Sequence, residues 1–296
     1  MQEVRRPERH PFRLQVTGPV PHSDAISDSL TIDAGSVSLS GERLGDGPPV
    51  ILLHGLTSTR RGVTHGSKLL PRSGYSTFAY DARGHGESGA PDDEAAYEYS
   101  DLADDLLGVL DWLSIDRAAL VGSSMGAATA MRFALDHPER VSALVQVTPA
   151  YDGERTADDL EDWARLANGL DEGGVDGFLA AYDPPVSDTF RETVMTFTRQ
   201  RLERHRDLHA VACALRVVPG SRAFEGIELL ERVDVPTLIV ASRDEPDPGH
   251  PLVIGQTYAE YLPDAELLVE EEGKSPIAWQ GAQLSRAIAD FLDRRL

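Results

Sequence analysis

The chain has 296 residues, 41% of them hydrophobic, a formal net charge of −21 and one cysteine. That size and apolar content suffice for one large α/β domain with a substantial core, with or without an inserted subdomain. The charge disfavours nucleic acid as a partner, a lone Cys213 excludes an internal disulfide, and no apolar run reaches membrane-spanning length.

In chain order, residues 1–28 carry Pro7, Pro11, Pro19 and Pro21 and no apolar leader, which predicts an irregular arm on a soluble, cytoplasmic chain. Leu30 to Asp33 and Val37 to Leu44 flank Ala34-Gly35 and predict a hairpin. Val50 to Leu53 is a short buried-strand signal that ends in His54-Gly55-Leu56. Tyr75 to Tyr80 is a second such run, and it feeds the turn Asp81-Ala82-Arg83-Gly84-His85-Gly86-Glu87-Ser88. Leu102, Leu106, Val109, Leu110 and Leu113 keep helical spacing.

The most informative segment follows. Ala118 to Val121 reads as a strand, Ala127 to Leu135 as a small-residue helix stopped by Pro138, and Gly122-Ser123-Ser124-Met125-Gly126 joins them. A G-x-S-x-G pentapeptide between strand and helix forms a nucleophile elbow: the sharp turn exposes the serine oxygen, and the glycines keep Cβ atoms out of a crowded bend. Ser124 then stands at a helix N-terminus, where the Met125 N–H is free to hold a developing oxyanion.

Together the His-Gly step, the D-x-RGHGES turn and the elbow identify the chain, over roughly residues 29–296, as resembling the α/β-hydrolase fold superfamily of the serine hydrolase type. The resemblance implies an eight-stranded, mainly parallel sheet with helices on both faces, a first core part at 29–149, a helical cap at 150–219 and a second core part at 220–296. Further strand signals at Leu144 to Thr148, Thr237 to Ala241 and Leu267 to Glu270 fit that pattern, as does a last helix with Leu284, Ile288, Phe291 and Leu292 on one face. Leu56 N–H becomes the second oxyanion donor.

The resemblance also implies an acid after the seventh strand and a histidine after the eighth. Asp244 matches the acid, with Asp247 and Asp152 as alternatives. The histidine position is occupied by Lys274, in Glu272-Gly273-Lys274-Ser275-Pro276, and no histidine lies beyond His250. A basic Lys274 needs its pKa lowered by roughly three units, about 4 kcal/mol, whereas Glu270 to Glu272 and Asp244 favour the ammonium form. It reads as an ion-paired brace.

His250, six residues past Asp244 at the carboxyl edge of the sheet, is the leading replacement base, because triads are defined by geometry and not by chain order. A backbone-bonded histidine at the start of a helix is its bland alternative. His65 ranks second. His54 is read as a brace of the oxyanion loop, His205 and His209 as solvated on a charged cap helix, and Cys213 as a buried structural thiol. Trp279 faces either the pocket or the underside of the last helix. No His/Cys/Asp run has metal spacing and no phosphate loop follows a strand, so no cofactor or metal is implied. The expectation is hydrolysis of a small carboxylic ester or related acyl substrate through Ser124. A silent ligand-binding protein and a non-hydrolytic lyase stay open, as do substrate identity and oligomeric state.

Overall fold

The computed structural model describes residues 28–153 and 157–296, so the proline-containing arm expected at 1–28 lies outside the described residues but for Asp28. A hairpin opens the fold, β1 (Asp28–Asp33) against β2 (Ser38–Leu44), with Gly35 at φ 95 in its turn. There follow β3 (Pro49–Leu53), a one-turn α1 (Leu69–Arg72), β4 (Ser76–Tyr80), α2 (Tyr99–Trp112), β5 (Ala118–Ser123), α3 (Met125–Asp136) and β6 (Val141–Val147). Next come α4 (Ala157–Ala181), α5 (Asp188–Leu202) and α6 (Leu208–Val217), and then β7 (Thr237–Ala241), α7 (Leu252–Tyr261), β8 (Ala265–Val269) and α8 (Gly281–Arg295).

The eight strands form one sheet in the order β1-β2-β4-β3-β5-β6-β7-β8, antiparallel at β1/β2 and β2/β4 and parallel from β4 onward. Period-two alternation sends residues to opposite faces. On β3, Ile51 and Leu53 join a core with α2, α3 and α7, while Val50 and Leu52 join another with α1 and α8. Central strands buried on both faces explain the unbroken apolar runs of the sequence. Among the described residues no helix is long and apolar enough to cross a membrane.

Between β6 and β7 the chain leaves the sheet for α4, α5 and α6. Their inner residues, including Leu166, Leu170, Phe178, Leu202, Val211 and Leu215, make a third apolar cluster, and Gly174, at φ 58, kinks α4. Asp207 starts α6 by accepting from the Ala210 N–H at 3.0 Å. Leu56, from the loop after β3, packs against both the sheet core and this helical insertion.

Candidate active site

Ser124 occupies the step between β5 and α3 with φ 51 and ψ −110, a conformation L-residues avoid. The surroundings enforce it. Its N–H donates to the Val147 carbonyl at 3.0 Å, and its carbonyl accepts from Ala127 and Ala128 in the first turn of α3. A Cβ at Gly122 would collide with the Gly126 carbonyl, and one at Gly126 with the Leu53 carbonyl, so both glycines are required by close backbone approach. Such strain costs about 1–3 kcal/mol and persists only where packing over-determines it.

The loop after β3 lies against this elbow: the Cβ that Gly55 lacks would stand 3.4 Å from the Ser124 Cβ. Among the described residues, the N–H groups of Leu56 and Met125 have no hydrogen-bond acceptor, and no side chain hydrogen-bonds Ser124 Oγ. Two unpaired donors and an unpaired hydroxyl thus share the carboxyl edge of the sheet.

Three buried histidines brace the neighbouring loops. His54 Nδ1–H donates to the Gly55 carbonyl at 2.8 Å and Nε2 accepts from Ala82 N–H at 2.9 Å. His85 Nδ1–H donates to the Arg83 carbonyl at 3.0 Å and Nε2 accepts from Thr57 N–H at 3.3 Å. His205 Nδ1 accepts from Gly86 N–H at 2.8 Å and Nε2–H donates to the Thr57 carbonyl at 2.9 Å. Each ring therefore faces one carbonyl and one N–H, which fixes a neutral tautomer.

Their pKa values are lowered, in each case chiefly by burial: His54 below its usual range, His85 well below it, and His205 to about 4. Mutual repulsion among the rings adds to the shift at His85. With both nitrogens committed, none of the three can take a proton from Ser124 without losing a backbone bond. His54 holds the backbone of Gly55 and Ala82. His205, expected to be solvated, is instead 9% exposed, because α6 begins only at Leu208 and the preceding turn drops the ring between the two core loops. Thr57, held through both its N–H and its carbonyl, sits at φ 62.

The D-x-RGHGES turn is organised by buried charge. Asp81 accepts from the Arg60 and Glu87 N–H groups at 2.7 and 3.0 Å and pairs with the Arg60 guanidinium. Arg83 forks onto Asp105 of α2 at 2.7 and 2.8 Å. These groups set the loop and, among the described residues, make no hydrogen bond to Ser124.

The remaining candidates separate clearly. His250 Nδ1 hydrogen-bonds Asp247 Oδ1 at 2.8 Å, and its side chain keeps 27% of its surface. Burial pulls the His250 pKa down, but the Asp247 carboxylate outweighs it and leaves the value raised, against opposition from Arg201. Asp244, the acid favoured by register, is exposed and accepts from Leu252 N–H at 2.7 Å, which caps the first turn of α7. The acid that reaches His250 is thus Asp247, because helix capping claims Asp244.

Lys274 is exposed and forms no ion pair among the described residues, so the brace expected there is absent. The family turn that should dip toward the serine instead points its basic residue outward. Glu270 is the buried carboxylate of that segment and accepts from Arg243 N–H at 2.7 Å. His65 is exposed, with Nε2 donating to the Ala278 carbonyl at 2.9 Å. Trp279 meets Phe190 of α5 edge-on at 6.0 Å and so links the last core turn to the insertion.

The comparisons with known proteins agree with this architecture. Residues 48–292 match the family described as alpha/beta hydrolase fold. Epoxide hydrolase 2 of Siraitia grosvenorii is 36% identical over 121 residues, 41% of this chain and 38% of the relative. The 2-(acetamidomethylene)succinate hydrolase of Mesorhizobium japonicum is 33% identical over 171 residues, 55% of this chain and 60% of the relative. Both alignments span less than two thirds of the relative's length. The solved esterase of Exiguobacterium antarcticum superposes with a TM-score of 0.72 at 22% identity, over 89% of this chain and 98% of that one, which speaks to fold alone. With its sheet order, elbow and matched span, this chain belongs to the alpha/beta hydrolase fold family.

Proposed function

We propose that the protein is a hydrolase of small carboxylic esters or related acyl compounds, with Ser124 as nucleophile. One observation carries the reading: a serine held at φ 51 with its hydroxyl unpaired, beside the unpaired N–H groups of Leu56 and Met125. Ser124 Oγ attacks the acyl carbon, and the two amides hold the oxyanion. The leaving alcohol departs with a proton, and water then releases the acid product from the acyl-enzyme.

His250 is the base in this reading, oriented and made more basic by Asp247, and α4 to α6 form the cap that shapes the substrate space. Elimination supports His250. The three buried imidazoles are committed, His65 bonds a carbonyl on its exposed loop, and Lys274 faces solvent. A second reading, ligand binding without turnover, is favoured by one fact: no described side chain hydrogen-bonds Ser124 Oγ.

Intact-mass labelling with a fluorophosphonate separates the two. One adduct on the wild type, lost in Ser124→Ala, slowed roughly a hundredfold or more in His250→Ala and kept in Lys274→Ala, is the expected result. Absence of an adduct on folded wild type overturns the serine-hydrolase reading and shifts the weight to the binding role, and loss only in Lys274→Ala transfers the base to the lysine.

A further inference from the structure

At the seam between the helical insertion and the core, three ligating groups converge that the linear sequence keeps far apart. Glu94 comes from the loop before α2, and His209 and Cys213 stand one turn apart on α6. Their ligand atoms all lie within 4.8 Å of one another, with His209 Nε2 at 3.3 Å from Glu94 Oε1 and 3.7 Å from Cys213 Sγ. Zinc held tetrahedrally at about 2.0 Å from oxygen, 2.1 Å from nitrogen and 2.3 Å from sulfur has N–O edges of about 3.4 Å and N–S edges of about 3.6 Å. Both measured separations fall within about 0.1 Å of those edges.

A supporting shell stands behind the ligands. His209 Nδ1 meets Asp171 Oδ1 of α4 at 2.9 Å, and the other Asp171 oxygen is held by Arg216 at 2.6 Å. A carboxylate on the far nitrogen is the usual partner of a metal-bound imidazole, since it fixes the tautomer and raises ligand basicity. It directs the Nε2 lone pair toward Glu94 and Cys213. The imidazole ring thus stands between two carboxylates, Asp171 at Nδ1 and Glu94 at Nε2.

We propose that Glu94, His209 and Cys213 bind one divalent metal ion, zinc by its N, O and S donor set, with a water in the fourth position. The ion ties the insertion to the core loop that follows Asp81 to Ser88. Binding releases the Cys213 thiol proton and any imidazolium proton to solvent, so affinity falls as pH falls. The site does not depend on whether Ser124 is acylated.

The test uses the full chain, stripped with chelator and titrated with cobalt(II) as a spectroscopic stand-in for zinc. One cobalt per chain, with an intense thiolate-to-cobalt band that zinc abolishes, is expected. Cys213→Ser should lose the band, and His209→Ala and Glu94→Gln, at side chains 60% and 76% exposed, should weaken binding at least tenfold without disturbing the fold. Asp171→Asn should cost roughly tenfold to a hundredfold. Hydrogen exchange should show α6 protected by zinc in the wild type and not in Glu94→Gln. Absence of the thiolate band in the wild type, or its survival in folded Cys213→Ser, overturns the proposal, as does a stoichiometry unaffected by His209→Ala.

Discussion

Replacing His205 by asparagine should make the protein less stable than wild type at pH 7 and more stable at pH 5. In the His205→Asn variant the new side-chain oxygen can still accept from Gly86 N–H, the role of Nδ1, but the donor to the Thr57 carbonyl is lost. One such bond contributes about 1 kcal/mol at neutral pH. The folded His205 stays neutral down to about pH 4, whereas the unfolded imidazole takes a proton near pH 6.5. Between those values the unfolded state binds more protons, so stability falls with pH at up to about 1.4 kcal/mol per unit. From pH 7 to pH 5 the integrated loss from this group is about 2 kcal/mol, twice the bond's worth, hence the inversion. His209 and His250, whose folded values are raised, are protonated in both states at pH 5 and add little slope below pH 6. Urea unfolding at both pH values, followed by tryptophan fluorescence, measures the gap. Parallel changes in the two proteins would refute the neutral, backbone-bonded assignment of His205.

The fluorophosphonate labelling rate should rise with pH through an inflection above 6.5, since His250 must be neutral to act and Asp247 raises its pKa; Asp247→Asn should move the inflection down and slow labelling. A rate profile that Asp247→Asn leaves unchanged removes the pair from the mechanism. Asp244→Ala should cost about 1 kcal/mol through the lost α7 cap and leave the labelling rate within about twofold, as urea midpoints and probe kinetics will show. Gly126→Ala should cost at least about 3 kcal/mol, because the new methyl meets the Leu53 carbonyl, and lower the thermal midpoint by roughly 6 °C or more. A midpoint within about 2 °C of wild type would mean that the elbow is looser than the geometry requires.

What the sequence made visible and what it hid follow from one physical division. The sheet was readable because strands buried on both faces leave unbroken apolar runs, and β7 falls on Thr237 to Ala241 as those runs predict. The elbow was readable because steric demands at Gly122 and Gly126 are local, and a local constraint writes itself into neighbouring letters. Pairing between distant loops writes nothing comparable. Asp244 and Asp247 are equivalent as letters, and only the start of α7 decides that one caps a helix while the other meets His250. His205 sat among arginines and acids that promised a solvated face, yet its ring closes a gap 148 residues away in the chain, at Thr57. Glu94 and His209 are separated by 115 residues, so no spacing rule could join them. Long-range pairs that join the helical insertion to the core among the described residues include Trp279 with Phe190, His205 with Thr57 and Gly86, and His209 with Glu94. Leu56, next to Thr57, packs against both the core and the insertion at that seam. Protonating His205 puts a second proton on Nδ1 and so breaks its bond from Gly86 N–H, while Nε2–H keeps its hold on the Thr57 carbonyl. Ser124 reactivity, governed by His250, should therefore be lost at higher pH than the His205–Gly86 bond, whose imidazole stays neutral in the folded chain down to about pH 4.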